Sequence, residues 1–196
     1  APLFMEPVHF VIGNPPWDML RADTDGEGSR EEKAYDRSLA QFARRSGIYT
    51  AQSDGHPNRF QLFVERAFHL ARPGGRIGLV VPWGLFADRG CSRLRRLLFH
   101  RADTDSVIGF DNTKAVFPIH RSVRFALVTT TTGRPTGRTL CRFGETDVAS
   151  LDGLPDSVDE RSRETFYPIL LSPALLIRLS GDDLAVPDVR SPIDLE

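Results

Sequence analysis

Short, uninterrupted apolar runs alternate with amphipathic segments along most of this chain, and no other feature limits the fold as strongly. The runs cover residues 8–12, 77–81, 107–110 and 122–132, and the last of them is rich in β-branched residues. Continuous apolar strands of this kind are typical of sheets whose two faces are both covered. The sequence therefore predicts a strand at each run.

Amphipathic helices are predicted between these strands. Segment 58–71 has helical spacing, and the Pro-Gly-Gly that follows it has glycines suited to a left-handed helix cap. The arginines of segment 92–100 (Arg93, Arg95 and Arg96) are expected to form a solvated face. The apolar positions are Phe60, Phe63, Val64, Ala67, Phe68 and Ala71 in the first helix, Leu94, Leu97 and Leu98 in the second, and Tyr35, Leu39 and Phe42 in a helix within a polar insertion at 21–55.

The order of these elements predicts an α/β fold. Strands separated by helices form a mostly parallel sheet with helices on both faces, whereas the strand at 122–132 follows its predecessor without a helix and is expected to be antiparallel. A turn at 132–138 ends this pattern, so we divide the chain at residues 135 and 136. Beyond the turn one helix is predicted, with Ser172 as N-cap, Pro173 at its first position and Gly181 past its end.

Composition excludes several classes of function. The hydrophobic share is 40%, the charged share is 26% and the net charge is −1, as in soluble globular proteins. No run is long enough to span a membrane and no signal segment is present, so we expect a protein of the reducing cytoplasm. Cys91 and Cys141 form no CxxC motif and the five histidines lack ligand spacing, so no metal site is predicted. Local basic patches at 93–101 and 120–124 remain compatible with nucleic-acid binding.

The stretch Gly13-Asn14-Pro15-Pro16-Trp17 follows the first predicted strand, where ligands bind in open α/β sheets. Two prolines fix the backbone and remove two N–H donors, so the Asn14 side-chain oxygen and the Asn14 and Pro15 carbonyls are left as acceptors on a stiff bend. Such acceptors suit a planar amino group, and Trp17 offers a face for stacking a heteroaromatic ring. The same residues also suit a plain loop after a strand with a core tryptophan.

Asn14, Pro15, Pro16 and Trp17 match the (D/N/S)PP(Y/F/W) motif of amino-methyltransferases that use S-adenosylmethionine. Residues 58–86 resemble the helix–PGG–strand segment that follows this motif in adenine-N6 DNA methyltransferases of restriction–modification systems, including type IIG-like enzymes. Residues 112–129, with their Val-Phe-Pro, resemble a later segment of the same family. The resemblance extends from Phe10 to Thr130, and it implies part of a Rossmann-like class I methyltransferase sheet.

The resemblance also implies roles for individual residues. Asn14 and Pro15 would accept hydrogen bonds from the amine of a flipped adenine, with Trp17 stacking on the base and Phe117 at its edge or opposite face. Phe63 would contact the adenine of S-adenosylmethionine, although its apolar helix face fits core packing equally well. Arg121 and Arg124 are candidates for contacts with the backbone of double-stranded DNA.

One family feature is missing, because no glycine-rich cofactor loop is found in the sequence. We therefore expect residues 1–135 to be the distal half of a methyltransferase catalytic domain and 136–196 an extension toward a target-recognition domain. Alone, the chain is expected to be inactive and to self-associate through an exposed sheet edge. The alternatives are methylation of a protein glutamine or an RNA base, and a non-catalytic binding or assembly role.

Overall fold

The computed structural model describes residues 6–18, 30–52, 58–153 and 169–190. Within them the strands are β1 (Val8–Gly13), β2 (Ala71–Pro82), β3 (Ala102–Asp111), β4 (Arg124–Thr132), β5 (Thr139–Glu145) and β6 (Ile169–Leu171). The helices are α1 (Arg30–Arg45), α2 (Arg59–Leu70), α3 (Gly84–Ala87), α4 (Ser92–His100) and α5 (Pro173–Ser180). Short 3₁₀ turns occur at Arg89–Cys91, Asn112–Lys114, Val148–Gly153 and Gly181–Asp183.

The described strands form one mixed sheet in the order β1-β2-β4-β3-β5-β6. β1 is parallel to β2 and β3 is parallel to β5, whereas β4 is antiparallel to both of its neighbours and β6 is antiparallel to β5. The predicted α/β class and the antiparallel direction of β4 are confirmed. β5 and β6 were not predicted, and they extend the same sheet beyond residue 135. The proposed domain division therefore stays a prediction, and no break in the sheet marks it.

The main core lies on one face of the sheet, where alternate residues of β2 pack against α2, α3, α4 and α5. The sequence predicts helices on both faces, but the opposite face is covered by loop residues and the 3₁₀ turn at 148–153 in the part of the chain that the structure describes. That second face carries a smaller cluster of Ile108, Phe110 and Phe125, against which Trp17, Phe117 and Leu151 pack.

Two helix ends show how local sequence sets the boundaries. In α5, the Ser172 side chain accepts a hydrogen bond from the Leu175 N–H at 3.2 Å, Pro173 begins the helix, and Gly181 follows it with φ +61°, as predicted. At the end of α2, the prediction of a glycine cap is wrong, because Ala71 is already extended and starts β2. The glycines instead belong to a bulge of β2 between the pairs Val8–Ala71 and Phe10–Arg76.

Four helical side chains differ from the burial that the helical spacing predicts. Phe63 of α2 is 53% exposed, which excludes the alternative of core packing, and its contact with the cofactor stays a prediction. Tyr35 and Phe42 of α1 are also exposed, because α1 docks on α2 through Ala40 and Ala43 instead. These small residues permit a close approach of the two helices, which places the larger apolar side chains at the side of the contact. The prediction that Arg95 of α4 lies on a solvated face is wrong, because its buried guanidinium donates to backbone carbonyl oxygens of the chain around it.

Candidate active site

The corner after β1 presents oxygen acceptors at the carboxyl edge of the sheet. Pro15 is buried and Trp17 is half-buried, whereas Asn14 and Pro16 are exposed. The Asn14 side chain has no hydrogen-bond partner among the described residues. The corner is thus anchored by one proline and one aromatic ring while its amide side chain is free to meet a ligand.

The corner is tied to the start of α2. The Arg59 N–H donates to the Asp18 carbonyl oxygen at 3.0 Å, and the Arg59 guanidinium lies 3.8 Å from the Asp18 carboxylate. The same guanidinium donates to Asp36 of α1 at 2.6 Å. The hydrogen bond from Arg59 to buried Asp36 raises the pKa of Arg59, so this cation is permanently charged. Arg59 therefore fixes the corner, α1 and α2 relative to one another.

An aromatic cluster supports the indole of Trp17. Its ring centroid lies 5.9 Å from that of Phe125 with an interplanar angle of 33°, and 6.1 Å from that of Phe117 with an angle of 86°. Phe117 and Phe125 also meet edge to face at 4.8 Å. The family resemblance places Trp17 and Phe117 around one base, and in the structure the two rings meet edge to face. The indole N–H is buried and has no acceptor among the described residues.

Asn112 organises the loop that carries Phe117, a role that the sequence analysis missed. This fully buried side chain donates from Nδ2 to the carbonyl oxygens of Phe117 (3.1 Å), Ile119 (3.2 Å) and His120 (3.3 Å). Its Oδ1 accepts from the Phe117 N–H at 2.9 Å. One amide thus contacts four backbone groups, with its two N–H donors shared among three carbonyl oxygens, and fixes the path of the loop. The signal for this role in the sequence was the position of Asn112, a polar residue in the turn that follows β3.

The two arginines expected to contact DNA occupy different environments. Arg121 is exposed. Arg124 donates to Asp111 at 2.8 Å, pairs with Asp188 at 2.9 Å, and lies 4.8 Å from the ring centroid of Trp83. Its guanidinium therefore bridges the end of β3 and the chain after α5. Of these two arginines, Arg121 is the one that has no ion pair among the described residues.

An apolar cleft of about 260 Å³ lies on the other side of the corner, between α1 and α2. Its aromatic walls are flat surfaces that suit a planar ring, and two guanidinium groups lie at its border. The lining residues are Pro16, Tyr35, Leu39, Tyr49, Leu62 and Phe63, with Arg59 and Arg66. The structure thus places exposed Phe63 in the same cleft as Pro16 of the corner.

A larger cavity of about 500 Å³ lies at the opposite edge of the sheet, near the ends of α2 and α4. Its lining includes His69, His100, Arg101 and Arg134 but no residue of the corner. Both helices direct their carbonyl ends toward this region, which disfavours bound anions and offsets the nearby cations. We therefore place the chemistry at the smaller cleft and the corner.

The two cysteine thiols are not accessible to a substrate. Cys91 and Cys141 are unpaired and buried, and burial raises the pKa of both thiols, so neither is a ready nucleophile. No group of three or more histidine, cysteine, aspartate or glutamate residues is arranged to hold a metal ion within the described ranges. None of the described helices has the length and hydrophobicity to cross a membrane.

Comparison with known proteins identifies the fold and the family. The family model of the Eco57I restriction-modification methylase matches residues 7–117, more than half of the chain. The chain belongs to this family. The matched segment runs from β1 through the corner and the cleft to Phe117, whereas Phe125 and the two arginines lie beyond it. Comparison with curated proteins finds no match.

Solved structures of restriction–modification methyltransferases share this fold. The type I methyltransferase subunit from Streptococcus thermophilus has a TM-score of 0.57 at 15% identity, covering 96% of this chain and 39% of that chain. A subunit described as the modification subunit of a type I restriction enzyme from Vibrio vulnificus YJ016 has a TM-score of 0.55 at 16% identity, covering 95% and 38%. The chain of this Eco57I family member thus spans well under half the length of either relative.

Proposed function

We propose that this Eco57I family member transfers a methyl group from S-adenosylmethionine to the exocyclic amine of a flipped adenine in DNA. The observation that carries the proposal is the exposed Asn14 amide at a proline-stiffened corner, beside the half-buried ring of Trp17. The family match supports the reaction class, and the chemistry of the corner supports an amine as the acceptor.

The corner orients the amine. Asn14 Oδ1 and the Pro15 carbonyl oxygen accept its two N–H groups, which draws the nitrogen lone pair out of conjugation with the ring. Two prolines hold these acceptors in place before the substrate arrives, so little reorganisation is needed during the reaction. Positioning and electrostatics, rather than a general base, then supply the rate.

The aromatic cluster receives the base. An adenine outside the duplex stacks on the accessible side of Trp17, with the edge of Phe117 beside it. Asn112 acts here as a positioning residue, because it fixes the loop that carries Phe117. Trp17 is itself held on Phe125, so the platform is rigid before the base binds.

The cleft beside Pro16 fits the adenine moiety of the cofactor. Phe63 forms one wall, while Tyr35 and Leu39 of α1 form another. S-adenosylmethionine, when bound, supplies an electrophilic methyl group on its sulfonium. The glycine-rich loop typical of such sites is not among the 196 residues, so we expect these residues alone to bind the cofactor weakly and to be inactive.

Double-stranded DNA is the proposed partner, and Arg121 is proposed to contact its phosphate backbone. We leave Arg124 out of this contact because its guanidinium is held by two carboxylates.

We also propose that the exposed edge strand β1 associates with another strand, either in a second copy or elsewhere in the parent protein. Its Phe10 and Ile12 are 66% and 84% exposed.

The test is methyl transfer from labelled S-adenosylmethionine by the whole protein, with adenine-containing duplex, RNA and a glutamine peptide as competing acceptors. We expect label in duplex adenine, and a loss of about 100-fold in rate for Asn14→Ala, because preorganised polar contacts at reacting groups have this effect. The matched control is Thr113→Ala, in an exposed part of the Phe117 loop. A preference for the peptide or RNA, or an Asn14→Ala variant as fast as the control, would contradict the proposal.

A further inference from the structure

Helix α1 carries a row of positive charge along one face. Arg30, Lys33, Arg37 and Arg44 follow the spacing of three, four and seven residues that keeps side chains on one side of a helix, and the polar Gln41 fills the remaining position. Arg30, Arg37 and Arg44 are exposed and Lys33 is half-buried. We call these four cations the α1 stripe.

Two of the three acidic residues of α1 lie on other faces, and the third is buried. Glu31 and Glu32 do not occur at positions three or four residues from Lys33 or Arg37, and Asp36 is buried against Arg59. No ion pair involving a member of the α1 stripe occurs among the described residues. The arginines of α4 differ, because Arg95 and Arg96 donate to backbone carbonyl oxygens.

This arrangement of cations does not stabilise helix α1. Lys33 and Arg37 are like charges four residues apart, which destabilises a helix by a few tenths of a kcal/mol. Arg30 is a cation in the first turn, where the helix dipole favours anions. A solvated helix face usually alternates in sign. The stripe is thus better explained by an anionic partner than by folding.

The position of α1 places the stripe near the corner. Asp36 contacts Arg59 at the start of α2, and the Arg59 N–H bonds to Asp18 of the corner. The first half of α1 is therefore held at the carboxyl edge of the sheet, where the proposed substrate base binds. A groove of about 330 Å³ lies beside the first half of the stripe, lined by Arg30, Lys33, Ala34 and Arg37.

The length of the stripe suits a nucleic-acid backbone. Residues 30 to 44 rise about 21 Å along a helix, which is long enough to contact several phosphates of a duplex that carries one charge per about 1.7 Å of its axis. Contacts of this kind are independent of sequence and position the duplex without reading it. We propose that the α1 stripe binds the phosphate backbone of DNA next to the flipped base; this inference rests on the proposed function.

The test measures the affinity of the chain for a labelled duplex of arbitrary sequence by fluorescence anisotropy over a series of salt concentrations. Each phosphate contact contributes about one unit to the slope of log affinity against log salt. We expect Lys33→Ala/Arg37→Ala to reduce the steepness by about two units. The matched control is Arg138→Ala/Arg178→Ala, which removes the same charge at exposed positions outside the stripe and should keep the slope. Circular dichroism checks the helix content of both.

The outcomes separate this inference from the proposed function. If both double variants change the slope equally, net charge alone is responsible and the stripe is not a binding surface. If the slope of Lys33→Ala/Arg37→Ala equals that of the wild type, the stripe does not contact phosphates, and the inference is overturned while DNA binding stands. If the wild-type chain binds no duplex at any salt concentration, the inference about the stripe is overturned, whereas the proposed function is decided by the methyl-transfer test on the whole protein.

Discussion

Replacing Arg95 by methionine is the sharpest test of how the chain after β6 is attached to the catalytic fold. The Arg95 side chain is 0% exposed and belongs to α4. Its Nε donates to the Asp183 carbonyl oxygen at 2.7 Å, and its Nη1 donates to the carbonyl oxygens of Leu85 (2.9 Å) and Asp88 (2.7 Å). Burial lowers the pKa of Arg95 without removing its charge.

The expected loss of stability follows from these three bonds. A bond from a charged donor to a buried carbonyl contributes up to about 3 kcal/mol, as for Leu85, and the two partly buried bonds contribute about 1 kcal/mol each. Removing the buried charge offsets part of this loss of stability, because the Arg95 Nη2 has no partner among the described residues. Methionine also replaces the aliphatic stem. We therefore expect Arg95→Met to lower the free energy of unfolding by about 3 kcal/mol.

Urea unfolding followed by the fluorescence of the two tryptophans measures this effect. The matched control is Arg96→Met, the same change at the next residue, where an exposed guanidinium donates to the Asp182 carbonyl oxygen at 3.1 Å. That variant should lose less than about 1 kcal/mol. Equal stabilities of the two variants would refute the reasoning, since they would show that the three carbonyls find other partners at no cost.

Two further predictions concern β2 and the edge strand. Gly75→Ala should destabilise the fold by about 1–3 kcal/mol in the same unfolding assay, because its Cβ would lie 2.8 Å from the Arg72 carbonyl oxygen, whereas Gly78→Ala on the same strand meets nothing within 4 Å and should be neutral. Similar losses of stability in both variants would show that the conformational freedom of glycine, and not its close approach to the Arg72 carbonyl, sets the cost. Sedimentation velocity should show concentration-dependent association of the chain, reduced in Phe10→Lys/Ile12→Lys; a wild-type chain that stays monomeric at high concentration would contradict the exposed-edge argument.

The sequence was informative wherever a local pattern decides the structure. The apolar runs located β1 to β4, and Ser172, Pro173 and Gly181 located both ends of α5, since capping is a property of adjacent residues. Arg95 was misassigned because its burial depends on carbonyls at Leu85 and Asp183, which no helical pattern of 92–100 reveals. β5 was missed because it alternates polar and apolar residues only weakly and gains its order from pairing with β3.

The proposed site also depends on an arrangement that no single motif contains. β4 lies between β2 and β3, so Phe125, its second residue, reaches the carboxyl edge where β1 and β3 end. Phe125 then stacks on Phe110 at 5.0 Å and supports both Trp17 and Phe117. A parallel strand in the same place would carry its first residues to the opposite edge and leave Trp17 without this support. The antiparallel direction of β4 is therefore part of the proposed base-binding platform, and the proline corner alone would not hold a stacked ring.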